Sequence, residues 1–276
     1  MATKQSKASK VVLHAILILG AVFMVGPFLW MVSTSLQTLG EATKIPPTLI
    51  PSQFHLDNYR RVFETLPFAT FYKNTIIITV ARVLGQLFFC SLAAYAFARI
   101  EFPGRDWIFV SLLTVLMVPG QAYIIPQYLL MMRLGWLDTL TALIVPGLTS
   151  AYGTFLLRQF FLTLPEELQE AAIIDGCNHF KIYWKIFLPL SVPALIAMSI
   201  FTALWSWNQL MWPLIVNTSQ AKMPLSAGLA SLQGQYSTHF PMLMGGALLA
   251  IFPMVILFLV LQKHFIEGIA LTGTKA

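Results

Sequence analysis

The chain has 276 residues, of which 57% are apolar and only 10% are charged, and its mean hydropathy is +0.74. Because an ordinary soluble domain has about 25% charged residues, this composition excludes a soluble protein and predicts an integral membrane protein. The formal net charge of +6 would suggest a nucleic-acid partner in a soluble protein. Here the basic residues stand in short segments between apolar runs, where they orient membrane helices. We therefore expect a lipid bilayer and no nucleic acid as partner.

Six apolar runs long enough to cross a bilayer follow one another along the chain. A span takes about 20 residues, and in lipid only helices or closed barrels satisfy their own backbone groups. None of the runs alternates in the manner of a barrel strand. The sequence therefore predicts an all-α integral membrane fold, with a single transmembrane domain over residues 1–276. The six predicted transmembrane helices lie at about 11–36, 73–98, 106–130, 139–162, 190–215 and 241–264.

Lysines and arginines predict the orientation of these spans. Of the 17 basic residues, ten fall on the side of the N-terminus, six on the opposite side, and Arg82 inside a span. An excess of basic residues marks the cytoplasmic side, so both termini are expected in the cytoplasm. The first apolar run follows three lysines, as in a signal peptide, but it continues past Trp30 without a small-residue cleavage site. We interpret it as a retained span.

A polar stretch at about 163–189 separates the fourth and fifth spans. Thr163 and Glu166 have the spacing of a capping box that begins a helix, and Gly176 is a typical left-handed helix end. Asn178 can then cap a second helix. The stretch is predicted to form a cytoplasmic helix–turn–helix outside the membrane. The pattern alone leaves open whether it is an active element or a connector folded back on the bundle.

The polar stretch resembles the EAA loop of the permease subunits of bacterial ATP-binding-cassette importers. The resemblance rests on Glu170-Ala171-Ala172, Asp175-Gly176, Phe180 and Leu188-Pro189-Leu190, with Cys177 as a departure from the usual alanine. It covers nearly the whole chain, and its other motifs are Ser91–Ala96, Phe102–Arg105, Val118–Gln121, Leu134–Gly135, Trp207–Asn208 and Trp212–Leu214. The ending Gly268–Lys275 is similar to the tail of the maltose-type second permease subunits, the carbohydrate branch of this family.

This resemblance implies that the helix–turn–helix is a coupling element that docks into a cleft of a cytoplasmic ATPase. The residues that it assigns to docking are Glu170, Ala171, Ala172, Asp175, Gly176 and Phe180. The implied partners are a second homologous permease subunit, two ATPase subunits and an extracytoplasmic solute-binding protein, in the bacterial cytoplasmic (inner) membrane. ATP and magnesium would be used by the partner ATPase, while this multi-pass chain carries a small sugar by alternating access.

The sequence predicts no catalytic residue, bound cofactor or metal site, so the chain is not expected to be an enzyme. Its closest approach to a phosphate loop, Gly268–Lys275, has the lysine and the threonine in reversed order and follows no predicted strand. The five histidines are scattered, and Cys90 and Cys177 have no metal-ligand spacing.

Polar side chains inside the spans are the candidates for a substrate pathway. Arg82 stands about two turns inside the second span, where a lipid-facing charge is costly; it either faces a wet pathway or reaches back to the outer surface. In the fifth span, Trp205, Asn208 and Trp212 are predicted to share one side beside Gln209, a combination suited to stacking on and hydrogen-bonding a sugar. Contact between helices is the alternative. Further candidates in the third span are Gln121 and Gln127.

Two outer loops complete the predicted topology. The loop at about 37–72 carries Leu56, Tyr59 and Phe63 at helical spacing, which predicts a short helix on the membrane surface that packs against the outer mouth or meets a partner. The loop at about 216–240 is long and polar. Its residues Lys222, Gln235 and Tyr236 are candidates for contact with the solute-binding protein, and a solvated connector is the alternative.

The function that these features favour is that of a permease subunit of an ATP-driven, binding-protein-dependent sugar importer. An importer of a glycerol-phosphate compound within the same family is one alternative. An ion-driven secondary transporter is another, but it would need carboxylates inside the membrane. The acidic residues of this chain lie in loops or near the ends of spans.

Overall fold

The computed structural model describes residues 7–234 and 238–273. These residues form α-helices and short helical turns, and the β-type pairing among them is one antiparallel bridge between Gln233 and Thr238. The predicted all-α fold is thus confirmed. The chain divides into two compact units, the first made of Met1–Leu66 with Leu229–Phe252 and the second of Pro67–Gly228 with Pro253–Ala276.

The α-helices range from single turns to spans of membrane length. In chain order they are α1 (Lys7–Ser35), α2 (Leu39–Ala42), α3 (Asp57–Thr65), α4 (Phe68–Arg99), α5 (Arg105–Thr114), α6 (Ile124–Arg133), α7 (Leu140–Ile144), α8 (Ala151–Thr163), α9 (Glu167–Ile174), α10 (His179–Ile182), α11 (Leu188–Leu190), α12 (Val192–Trp207), α13 (Met211–Val216), α14 (Leu225–Ala230) and α15 (Phe240–Gly273). Short 3-10 turns occupy Val115–Met117, Gly120–Tyr123, Val145–Gly147 and Gln220–Lys222, and a π-helix occupies Tyr183–Phe187.

Four helical segments are long and apolar enough to cross a membrane, namely Lys10–Ser35, Phe68–Arg99, Leu140–Thr163 and Phe240–Gln262. Two bent pairs raise the total to six if each pair forms one span. They are Arg105–Met117 with Gly120–Arg133, bent by 96°, and His179–Leu190 with Val192–Trp207, bent by 77°. The described chain therefore has four to six candidate spans, in agreement with the predicted six-helix class.

Proline explains the bend in the third apolar run. Val118 precedes Pro119 and has an extended backbone, with φ −89° and ψ 120°, because the ring of a following proline disfavours the helical conformation. The predicted continuous helix at about 106–130 is therefore two helices joined at an angle. The fifth run is interrupted as well, since α12 ends at Trp207 and α13 begins only at Met211.

In the first unit, a side chain of α3 donates hydrogen bonds to the backbone carbonyls at the end of α1. The amide of Asn58 donates to the carbonyls of Ser35 and Gln37, each at 2.9 Å. The short predicted helix is thus present as α3. Leu56 and Phe63 stay exposed, while Asn58 occupies the side of α3 that meets the carbonyls at the end of α1. Contact of the apolar residues with the outer mouth or with a partner stays a prediction.

In the second unit, α4 is the central helix and packs against both α8 and α12. The fourth span is interrupted opposite to it, where α7 passes through a 3-10 turn at Val145–Gly147. Pro146 lies in this turn and has no N–H group, so it cannot bond the carbonyl of Ala142 four residues earlier. The indole nitrogen of Trp212 donates to that carbonyl instead, at 3.0 Å.

Side chains of α4 bond two more carbonyls of the interruption. Arg82 donates to the carbonyl of Leu143, and the amide of Gln86 donates to the carbonyl of Gly147 at 2.9 Å. The amide oxygen of Gln86 accepts in turn from the hydroxyl of Thr202 on α12, at 2.8 Å. Within this unit, three helical segments are therefore joined by buried polar groups rather than by apolar contact alone.

We predict that Gln86→Leu lowers the free energy of unfolding by about 1–3 kcal/mol, because the Gly147 carbonyl and the Thr202 hydroxyl both lose a buried partner. Denaturant titration of the detergent-solubilised chain measures the change. Gln262→Leu is the matched control, since Gln262 is exposed and its amide donates to the carbonyl of Leu259 in its own helical turn. Equal stability of the Gln86→Leu and wild-type chains would contradict the buried network.

Candidate functional site

A cavity of about 320 Å³ lies in the second unit beside the interruption of the fourth span. Its walls come from α4, from the bent segment around Gly120, from the turn at Val145–Gly147 and from the junction of α12 and α13. The lining residues are Arg82, Gly120, Gln121, Tyr123, Ile124, Gln127, Pro146, Gly147, Trp205, Gln209, Leu210, Met211 and Trp212. Five of the six predicted pathway residues therefore meet at one cavity, and so does Gln127.

Arg82 is held inside the unit, with only 1% of its surface exposed. Its Nε donates to the carbonyl of Leu143 at 2.8 Å, and a terminal nitrogen donates to the same oxygen. The other terminal nitrogen donates to Oε1 of Gln209 at 2.6 Å, and the guanidinium carbon lies 5.2 Å from the ring centre of Trp205. The interpretation in which Arg82 reaches back to the outer surface is therefore wrong, because its partners lie within the unit.

Gly147 makes room for this guanidinium. A Cβ atom at position 147 would lie 2.5 Å from Nε of Arg82, which is well inside van der Waals contact. The interruption of the fourth span thus supplies both the bonded carbonyl of Leu143 and the space for the side chain. Backbone and side chain together fix the positive charge at the cavity wall.

The predicted common side of Trp205, Asn208 and Trp212 is wrong, because the helix that would carry all three is broken. Helix α12 ends at Trp207, and α13 begins only at Met211. Asn208 turns its amide to the carbonyl of Leu204, at 2.8 Å, and does not line the cavity. Trp205 and Trp212 do line it from opposite sides of the break.

These two tryptophans have different surroundings. Trp205 keeps 57% of its surface exposed, whereas Trp212 is buried and bonded through its indole nitrogen to the carbonyl of Ala142. Gln209 completes this wall, since its amide accepts from Arg82 and its backbone carbonyl accepts from the hydroxyl of Ser226 at 2.6 Å. Aromatic and amide groups thus surround a fixed cation.

The polar stretch between the fourth and fifth spans folds as a helix–turn–helix. Its turn is at Gly176, whose φ of +73° is the predicted left-handed end of α9. Asn178 caps α10 as predicted, since its side chain accepts from the N–H of Lys181 at 2.9 Å. The predicted capping role of Thr163 is wrong: its hydroxyl donates back to Phe160 within α8, and Leu164 is extended before Pro165.

The predicted docking residues divide into two groups. Glu170, Ala171, Asp175, Gly176 and Phe180 are exposed. Ala172 is only 5% exposed and packs into an apolar core with Ile182, Tyr183 and Phe187. Ala172 therefore positions α9 rather than forming part of its free surface.

Two exposed apolar residues of α9 were missed by the sequence reasoning. Ile174 has 86% of its surface exposed, and the neighbouring Ile173 is also exposed. Phe180, in α10, is also exposed and stacks on Trp184, with ring centres 6.3 Å apart and an interplanar angle of 16°. The available signal was a run of apolar residues in a segment predicted to lie outside the membrane.

Arg99, at the end of α4, anchors the start of this segment and was also missed. Its guanidinium is buried and donates to the carbonyl of Phe161 at 2.7 Å and to that of Leu164. It also lies 3.7 Å from the carboxylate of Glu166 and 5.1 Å from the ring centre of Phe187. The sequence reasoning treated Arg99 only as an orientation charge in a cytoplasmic turn.

The loop segment around Lys222 is fixed by Asp138. The Asp138 carboxylate accepts from the backbone N–H groups of Ser219 and Thr218, at 2.9 and 3.0 Å. These bonds, that of Ser219 first, hold the pKa of Asp138 below its ordinary value. Lys222 itself is exposed, whereas Gln235 and Tyr236 lie outside the described residues.

Known proteins resemble the chain over nearly its full length. A permease protein of the arabinooligosaccharides transport system, AraQ of Halalkalibacterium halodurans, is 38% identical over 258 residues, which cover 92% of each chain. The permease protein UgpE of the sn-glycerol-3-phosphate transport system of Yersinia enterocolitica is 32% identical and covers 93% of this chain and 94% of its own. A solved bacterial ABC transporter involved in the import of the acidic polysaccharide alginate has a chain with a TM-score of 0.82 and 25% identity, covering 95% of this chain and 99% of that one.

Residues 86–269 match the family described as the inner membrane component of binding-protein-dependent transport systems. The match covers more than half of the chain and includes both the helix–turn–helix and the Gln86 network. Together with relatives more than 30% identical over nine-tenths of the chain, it shows that the chain belongs to this family, the inner-membrane permeases of ATP-binding-cassette transporters.

Proposed function

We propose that this chain is a permease subunit of an ATP-driven, binding-protein-dependent carbohydrate importer. The proposal rests on the structure of the segment around α9. It lies between two spans, is held by buried Arg99 and Ala172, and leaves Ile173, Ile174 and Phe180 exposed. An exposed apolar surface of this kind is typical of a site for another protein.

In the proposed mechanism, the chain contributes movement of its helices and a pathway, while ATP and magnesium belong to the partner ATPase subunits. Docking of α9 on an ATPase subunit makes the helix–turn–helix follow the closure of the ATPase dimer. The core that joins Ala172 to Tyr183, Phe187, Leu157 and Tyr95 then passes the movement to α8 and α4. A second permease subunit completes the pathway.

The same proposal orients the chain in the bacterial inner membrane. The side of α9 is cytoplasmic, as the excess of basic residues indicates, and both termini lie on that side. The loop around Lys222 then faces outward, where an extracytoplasmic solute-binding protein would deliver the substrate. The names of the relatives, which refer to arabinooligosaccharides and to sn-glycerol-3-phosphate, support a sugar or a phosphorylated polyol as cargo.

The experiment that tests the proposed function is uptake by vesicles that contain the full complex of this chain, its partner permease, the ATPase subunits and the binding protein. Labelled arabinooligosaccharide and labelled sn-glycerol 3-phosphate serve as the probes. We expect uptake of at least one probe to require both internal ATP and the binding protein. Uptake that persists without ATP and follows an ion gradient would contradict the proposal.

We predict that Gly176→Val uncouples ATP hydrolysis from uptake in these vesicles. A Cβ atom at position 176 meets no other atom within 4 Å, so the effect comes from the positive φ alone. A side chain in this conformation costs about 1–2 kcal/mol, so we expect uptake per ATP hydrolysed to fall about tenfold. Parallel assays of uptake and phosphate release measure the ratio.

Gly176→Asn is the matched control for this prediction, because asparagine tolerates the left-handed conformation at a helix end. We expect this variant to keep most of the coupling, while the amount of assembled complex stays the same for both variants. Normal coupling in Gly176→Val would show that the turn is not needed to present α9.

We also predict that Arg99→Met reduces uptake per ATP much more than Glu166→Gln does. Arg99 is buried and bonds the carbonyls at the end of α8, whereas the Glu166 side chain is 83% exposed, and an exposed ion pair contributes only about 0–1 kcal/mol. The same uptake and hydrolysis assays separate the two contributions. Similar losses in both variants would instead assign the anchoring to the ion pair.

A further inference from the structure

The cavity of the second unit holds a positive charge without an acidic partner in the described part of the chain. The ion pairs of the described arginines join Arg60 to Glu64, Arg99 to Glu166 and Arg105 to Asp106, and none of these residues lines the cavity. The lining itself contains Arg82 but no aspartate or glutamate. A charge inside a membrane-spanning helix is costly and is therefore a candidate functional group.

Arg82 still has donors to offer. A guanidinium has five N–H donors, and the bonds to Leu143 and Gln209 use three of them. One N–H group on each terminal nitrogen remains. Carboxylate and phosphate oxygens are the acceptors that a guanidinium binds most strongly, often through two donors at once.

The position of the guanidinium is fixed before any ligand arrives. The Leu143 carbonyl and the Gln209 amide hold it from two sides, and Gly147 leaves the space in which it lies. Because the side chain need not be ordered on binding, little affinity is lost when an anion pairs with it.

Other lining groups suit the rest of a carbohydrate. The ring of Trp205 presents an exposed aromatic face next to the charge, and Gln121 and Gln127 bring amide groups to the same cavity. The volume of about 320 Å³ lies within the range of small-molecule sites, roughly 300–1,000 Å³. The cavity thus combines one strong anion-binding group with groups for hydroxyls and a ring face.

We propose that the substrate carries an anionic group, a carboxylate or a phosphate, and that Arg82 is the residue that recognises it on its way through the cavity. This inference rests on the proposed function and narrows it from carbohydrates in general to acidic ones. Arg82 selects against a neutral analogue because its remaining donors and its charge would then stay unpaired in a buried site.

The test uses the full complex in vesicles and three labelled probes that differ in charge. They are a galacturonate oligosaccharide, the neutral galactose oligosaccharide of the same length, and sn-glycerol 3-phosphate. We expect the wild-type complex to import at least one of the two anionic probes in an ATP-dependent manner. The two anionic probes distinguish a carboxylate from a phosphate as the recognised group.

Arg82→Met is expected to lower uptake of the anionic probe about tenfold or more, which corresponds to about 1.4 kcal/mol. Arg82→Lys keeps the charge and is expected to retain part of that uptake. The control is Gln86→Leu, because Gln86 lies one turn away in the same buried network but does not line the cavity. We expect it to reduce uptake of every imported probe by a common factor.

Two results would overturn the inference while leaving the proposed function intact. One is ATP-dependent import of the neutral probe alone, and the other is an equal loss of neutral and anionic uptake in Arg82→Met. Size-exclusion chromatography measures the amount of assembled complex for each variant, and uptake is compared per amount of assembled complex. Absence of ATP-dependent uptake of both anionic probes would also overturn the inference, and the proposed function would then still be tested by uptake of the arabinooligosaccharide.

Discussion

The second unit depends on one constraint, that backbone carbonyls exposed by a broken helix in an apolar surrounding must find new donors. Pro146 creates the break, and Trp212, Arg82 and Gln86 provide the donors around it. An ordinary helix would have needed none of these side chains. The charge at the cavity is thus a consequence of satisfying the backbone, because Arg82 and Trp212, which bond these carbonyls, also line the cavity.

Helix α4 joins this region to the helix–turn–helix that contains α9. Arg82 and Arg99 both stand on it, 17 residues apart, or about 25 Å along a helix that rises 1.5 Å per residue. Both arginines bond backbone carbonyls of neighbouring helical segments rather than relying on a carboxylate. Through Arg82 this helix reaches the cavity, and through Arg99 it holds the start of the segment that contains α9, so one rigid element connects the two sites.

Features that depend on local chemistry were predictable from the sequence. The apolar runs, the left-handed turn at Gly176 and the cap at Asn178 follow from residue type and spacing, and the structure contains them. Features that depend on distant partners were not. The burial of Ala172 and the bonds of Arg99 require knowledge of which helices meet, and a proline in an apolar run does not reveal whether the helix bends by 96° or continues with a slight kink.

The partners of Arg82 determine how its position responds to pH. A carbonyl and an amide hold the guanidinium, and neither takes up or releases a proton in the physiological range. The described lining of the cavity contains no carboxylate or imidazole that could relay one. The hydrogen bonds that hold the guanidinium therefore do not depend on pH in the physiological range, so the charge at the cavity wall keeps its position when the pH on either side of a membrane changes.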